Sequence, residues 1–158
     1  PIEAGGPVSD EIRKPDLRAR ALQYLARREH ARAELHQKLL PHCEDPQALD
    51  ALLDDFSARG WLSDERFAEQ WAHQRGTRYG AARLKQELRQ KGVAEETIAE
   101  AIEEIADSEE ARARAVWQRK FGIPPVDINA RAKQMRFLAA RGFRLDVIYK
   151  VVGGDVDD

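Results

Sequence analysis

The chain has 158 residues, 42% hydrophobic and 34% charged, with a net charge of −2. Its apolar share is mostly Ala and Leu, with three Tyr, three Trp and five Phe; this excludes one large spherical core and suits helices with narrow apolar stripes. The single Cys43 excludes an intrachain disulfide and points to a reducing, cytoplasmic compartment, and the near-neutral sum argues against a simple nucleic-acid binder.

Residues 1–15 contain Gly and Pro and lack the apolar stretch of a signal peptide, so they read as a disordered N-terminal tail. No apolar run reaches membrane-spanning length. A first helix starts near Asp16, with Leu22 and Leu25 expected inward. The next helix breaks at Leu40-Pro41, and a third restarts at Asp45-Pro46, an N-cap followed by the favoured first-turn proline.

Ser63 then caps a helix with Asp64 and Glu65 in its first turn and a stripe of Phe67, Ala68, Trp71 and Ala72, ending at Gly76. A helix from about Gly80 to Lys91 turns Ala81, Leu84 and Leu88 inward and stops at Gly92; the following one carries Ile98, Ile102 and Ile105 at helical spacing. Ser108 is the expected cap of a helix bearing Ala111, Ala115 and Trp117. Pro124-Pro125 separates it from a helix around Ala130 to Arg141. The β-branched run Val147 to Val152 could be a strand locally, but its register favours a helix. Asp155 to Asp158 close the chain as an acidic tail.

The register comes from superposing the chain on itself. Leu35, Leu39, Leu49, Leu53 and Phe56 map onto Leu84, Leu88, Ile98, Ile102 and Ile105 at a constant offset of 49. Leu88, Lys91, Gly92, Val93, Ile98 and Ile102 map onto Leu138, Arg141, Gly142, Phe143, Ile148 and Val152 at an offset of 50. The reading is all-α: three tandem three-helix repeats over 16–60, 61–106 and 107–153, with 154–158 as the tail. Units this small bury little alone, so an elongated, curved modular chain is expected.

Four segments in order carry a family resemblance. They are Ala21 to Leu35, Gly60 to Ala68, Tyr79 to Val93 (with Arg83-Leu84-Lys85-Gln86-Glu87-Leu88 and the Lys91-Gly92-Val93 triplet), and Lys120-Phe121-Gly122 followed by Lys133 and Arg136 to Phe143. Together they resemble the RecX family of recombination regulators, over roughly Leu17 to Val152. Where that family often has Ser or Thr caps, this chain has Ala94 and Arg144, and His30-Ala31 stand where Tyr and Ser are common. The resemblance implies a non-enzymatic protein of three tandem three-helix modules that binds the RecA filament. It implies restraint of filament growth, strand exchange, ATP hydrolysis and RecA-assisted repressor cleavage. Contact with single-stranded DNA would be secondary. A monomer is expected, with no membrane partner, cofactor or metal.

The residues themselves suggest a charged flank. Glu87 can pair with Arg83 and Lys91 along one helix face, while Lys85 and Arg89 share another face, continued by Arg78, with no intrahelical acid. Arg131, Lys133, Arg136 and Arg141 likewise lack an acid within their helix, and Arg28, Arg32 and His36 recur at four-residue steps. Two readings stay open. These bases could meet the acidic helices around Asp50 to Asp55 and Glu100 to Glu104. Alternatively Arg28, Arg32, Arg78, Lys85, Arg89, Arg131, Lys133, Arg136 and Arg141 form a modular surface for an acidic filament or its DNA phosphates.

Other chemistry is weaker. His36, His42 and Cys43 do not share a helical face across Pro41, so zinc is disfavoured. No Gly-rich phosphate loop or nucleophile–His–acid set is recognisable, and Trp61, Trp71 and Trp117 are expected to pack inward. The alternative function is an autonomous DNA-binding protein with helix-turn-helix-like modules. It is disfavoured by the net charge and by the lack of a helix rich in base-reading Asn, Gln and Arg.

Overall fold

A computed structural model describes residues 16–153; the expected tails at 1–15 and 154–158 lie outside that range. Among the described residues there are nine α-helices and no strand. They are α1 (Leu17–Arg27), α2 (Arg32–Leu39), α3 (Pro46–Ala58), α4 (Asp64–Arg75), α5 (Ala81–Gln90), α6 (Glu95–Glu104), α7 (Glu109–Lys120), α8 (Ile128–Ala140) and α9 (Leu145–Val152). Short 3-10 turns occupy Leu40–His42 and Ala106–Ser108. No described helix is long and apolar enough to cross a membrane.

The chain divides into two compact units, one ending at Ser63 and one starting at Asp64. In the first, α2 packs between α1 and α3. Its core is Ala21, Leu35, Leu39, Leu49, Leu53, Phe56 and Leu62. Caps define the helix starts: Asp16 accepts the Ala19 N–H at 2.7 Å, and Asp45 accepts the Gln47 N–H at 3.0 Å with Pro46 in the first turn. Glu34 accepts the N-cap Ala31 N–H at 3.3 Å, one half of a capping box whose other half alanine has no side chain to make.

In the second unit, α4 and α5 pack on α6, and α7 and α8 pack on α9. The last triplet closes over Ala113, Val116, Trp117, Leu138, Phe143, Val147, Ile148, Val151 and Val152. The 147–152 run is helical: Val147, Ile148, Val151 and Val152 face one apolar stripe, the spacing of a helix, and no strand is there to pair with. The apolar side chains aligned at offsets of 49 and 50 are all buried, from Leu35 and Leu84 at 0% exposure to Ile102 at 7%. Gly92 and Gly142, aligned at the ends of α5 and α8, both take positive φ, at 81° and 91°, and turn the chain out of each helix.

Four side-chain expectations are corrected. Leu22 is 41% exposed, because the buried stripe of α1 runs through Leu17, Ala21, Tyr24 and Leu25 and leaves Leu22 at its edge. Ala111 and Ala115 are exposed; Ala113, Val116 and Trp117 carry the buried face of α7. Trp61 is 41% exposed, edge-on to Phe56 and flanked by the guanidinium groups of Arg18 and Arg59. Ser108 does not cap α7: its hydroxyl donates back to Ile105 O at 2.8 Å and accepts from Arg112 Nε.

Candidate functional site

The second and third triplets meet inside one compact unit, and their junction is built from backbone. The Gly80 N–H donates to Arg141 O at 2.9 Å, and the Ala82 N–H to Gly142 O at 3.2 Å. These are among the first N–H groups of α5, which have no partner within their own helix. The carbonyls that satisfy them come from the turn leaving α8.

A buried carboxylate reinforces the junction. Glu109, 1% exposed, accepts the Ala81 N–H at 3.1 Å on Oε1 and the Arg144 N–H at 3.0 Å on Oε2. One side chain in the first turn of α7 thereby serves the N-termini of both α5 and α9. Arg144, the N-cap of α9, makes no side-chain cap bond of its own. Arg112 and Arg144 approach the same carboxylate at 3.8 and 3.6 Å. Arg112 also donates to the carbonyls of Gly76, Tyr79 and Ile105 at 2.7, 3.0 and 3.2 Å. Burial pulls its guanidinium below its ordinary pKa, with Glu109 opposing.

Above this frame lies a groove of about 710 Å³ whose lining includes Arg78, Tyr79, Arg119, Lys120, Phe137 and Arg141, and no carboxylate. Arg78, Arg119, Lys120 and Arg141 make no ion pair among the described residues. Arg141 lies 5.3 Å from the Tyr79 ring centroid and 4.9 Å from that of Phe137, and Lys120 lies 5.4 Å from Phe137. Arg119 donates to Thr77 O at 3.2 Å. Aromatic faces and a carbonyl thus orient Arg119, Lys120 and Arg141 without neutralising them.

One edge is held by Glu87. It accepts Arg75 Nε and Nη2 at 2.6 Å each, Trp71 Nε1 at 2.9 Å and Arg83 Nε at 3.0 Å. Burial pushes the Glu87 carboxyl up, but the Arg75, Trp71 and Arg83 donors outweigh it and hold it below its ordinary value. Arg75 and Arg83 in turn stand over Tyr79, at 4.8 and 4.4 Å.

Of the sequence-predicted basic residues, Arg78 and Arg141 come together in the groove. Lys85, Lys133 and Arg136 lie outside its lining and make no ion pair among the described residues. The others have intramolecular contacts. Arg28 pairs with Glu34 at 2.6 Å, Arg32 with Asp54 at 2.7 Å and Arg89 with Glu95 at 2.8 Å, while Arg131 stands 5.6 Å from the Tyr149 ring. Bases therefore meet the acidic third helix in the first triplet, where His36 also approaches Asp50 at 3.8 Å. Among the described residues, the acids Glu100, Glu103 and Glu104 have no such pairing with a base. Cys43 donates to Asp45 O at 2.9 Å, and no described group of His, Cys, Asp and Glu could hold a metal ion.

Arg119, Lys120, Glu109 and Arg112 build the site without having been singled out for it by the sequence. Ser108-Glu109-Glu110 reads as an ordinary acidic first turn, and nothing local marks Glu109 as buried.

Family descriptions of the first, second and third RecX three-helix domains match residues 18–56, 63–102 and 107–152. The chain belongs to the RecX family. It is 49% identical over 138 residues to the regulatory protein RecX of Ralstonia pickettii, covering 87% of each chain. It is 47% identical to that of Chromobacterium violaceum and 40% to that of Neisseria meningitidis serogroup B, each over 90% of this chain and 92% of the relative. The crystal structure of RecX from Lactobacillus salivarius shares its fold, with a TM-score of 0.76 at 18% identity over 86% of this chain and 92% of that one. This RecX-family chain is thus a regulatory protein of three tandem three-helix domains.

Proposed function

We propose that this chain binds the RecA recombinase filament and restrains its growth, ATP hydrolysis, strand exchange and coprotease activity. The junction groove engages acidic protein surface or the DNA phosphates within the filament. The observation that carries this reading is the set of four cations, Arg78, Arg119, Lys120 and Arg141, gathered on one groove with no carboxylate in its lining. Several arginines elsewhere are instead neutralised pairwise, as at Arg32–Asp54 and Arg89–Glu95. Like charges gathered without a counterion repel, so a polyanionic partner is the natural complement. Lys85, Lys133 and Arg136 extend the basic surface. Arg28, Arg32, Arg89 and Arg131 have internal contacts and would contribute less.

The test is co-sedimentation with RecA assembled on single-stranded DNA. Binding at low ionic strength, much weakened by Arg119→Glu with Lys120→Glu, supports the reading. Absence of binding by the parent chain contradicts it. Tight RecA-independent binding to duplex would favour the autonomous DNA-binding alternative.

A further inference from the structure

The loop between α7 and α8 carries an apolar surface that the fold does not use. Ile123, Val126 and Ile128 are 68%, 82% and 65% exposed, more than any other large apolar side chain among the described residues. They fall within one short stretch, Ile123-Pro124-Pro125-Val126-Asp127-Ile128. Scattered exposed aliphatics are ordinary on a soluble surface; three within six residues, running from the loop into the first residue of α8, mark a contact site.

The loop is also held in shape. Phe121 N–H donates to Trp117 O at 2.8 Å where α7 ends. The buried Gln134 donates to Ile123 O at 3.1 Å, and is itself fixed by Trp117 Nε1 at 2.7 Å. Asp127 accepts the Ala130 N–H at 2.8 Å and so starts α8. Two prolines fix φ between these anchors. Little conformational entropy remains for a partner to remove, which favours binding by a preformed element.

The chemistry selects a protein over a nucleic acid. Pro124 and Pro125 remove two N–H donors from the loop, and its apolar side chains offer phosphates nothing. The only carboxylate, Asp127, is engaged in the cap. In sequence the loop is flanked by Lys120 on one side and by Lys133 and Arg136 on the other, and none of these makes an ion pair among the described residues. We infer that Ile123, Val126 and Ile128 form a preformed apolar anchor that seats in an apolar, carboxylate-bordered pocket of a partner protein. Resting on the function proposed above, that partner is the protein component of the filament, not its DNA.

A photo-crosslinking amino acid at position 126 of the full chain, bound to RecA filaments on single-stranded DNA, is expected to give an adduct with RecA. The combined Ile123→Ser, Val126→Ser and Ile128→Ser variant should bind filaments about tenfold more weakly or worse. Its helicity and salt dependence should be unchanged. Val126→Asp alone should also weaken binding, and more than Val126→Lys. Adducts confined to DNA or to a second copy of this chain, or unchanged affinity of the serine variant, would overturn the anchor. If the parent chain itself fails to bind filaments, the proposed function falls with it; if the parent binds and the serine variant binds equally, only the anchor falls.

Discussion

Gly80 and Gly142 are packed backbone against backbone. A Cβ on Gly80 would lie 2.4 Å from Gly142 O, and one on Gly142 would lie 2.6 Å from Arg83 Cβ. Neither position has room for a methyl group, and the obstacle at Gly80 is main chain, which cannot rotate away. Gly80→Ala is therefore expected to separate α5 from the turn after α8 and to cost about 2 kcal/mol or more. Gly60 provides the contrast: its φ is 77° with nothing within 4 Å of a Cβ, so Gly60→Ala should cost only the conformational strain, about 1 kcal/mol. Urea unfolding of the two variants, followed by circular dichroism, measures the difference; equal losses would mean that the close approach is not tight.

Glu109 holds two helix N-termini with one buried carboxylate. Glu109→Ala leaves the Ala81 and Arg144 N–H groups without their acceptor and removes the carboxylate facing the half-buried Arg112 guanidinium, while Arg144 retains Asp146 at 3.5 Å. The expected cost is about 3 kcal/mol. Glu109→Gln keeps the shape and one acceptor oxygen, so it should lose less. Chemical denaturation ranks the two, and a smaller loss for alanine would contradict the assigned role.

His30 gives the first unit a pH dependence. It is 1% exposed, with Nδ1 at 3.1 Å from Arg28 O and Nε2 at 2.9 Å from Lys38 Nζ. An ammonium donating to Nε2 leaves the ring proton on Nδ1, directed at the carbonyl, which is the neutral tautomer. Burial lowers its pKa; the Arg28 carbonyl and the Glu34 charge oppose that, and the Arg28 and Lys38 charges add to it. The folded state then binds fewer protons than the unfolded chain. The stability His30 contributes is present above its unfolded pKa of about 6.5 and is lost as pH falls through the lower folded value. The urea midpoint of the first unit should drop as pH falls below about 6.5, and His30→Gln should flatten that change. A midpoint that rises on acidification would refute the neutral assignment.

Much of the fold is legible in the sequence because burial repeats. Leu39, Leu88 and Leu138 mark equivalent helix ends and are all fully buried, and Gly92 and Gly142 share one backbone conformation. The helical state of Val147 to Val152 follows from register against local β-propensity. What escaped is what depends on a neighbour. Alanine is as common on the wet as on the dry face of a helix, so Ala111 and Ala115 could not be told from Ala113. Arg89 looks unpaired within its own helix, and its acid, Glu95, lies across the turn. The groove joins Arg78 and Arg141, visible as basic residues, with Arg119 and Lys120, which read as the ordinary basic last turn of a helix with an acidic first turn.

The groove is tested most directly by the salt dependence of binding to RecA filaments on single-stranded DNA. Four cations meeting phosphates in a single strand correspond to a slope of about −3 in log affinity against log salt. Arg119→Glu with Lys120→Glu should leave stability within about 0.5 kcal/mol, reduce the slope by more than one, and relieve inhibition of RecA's ATPase more than Lys85→Glu with Arg89→Glu does. A parent slope near zero, or full inhibition by the folded groove variant, would contradict the assignment.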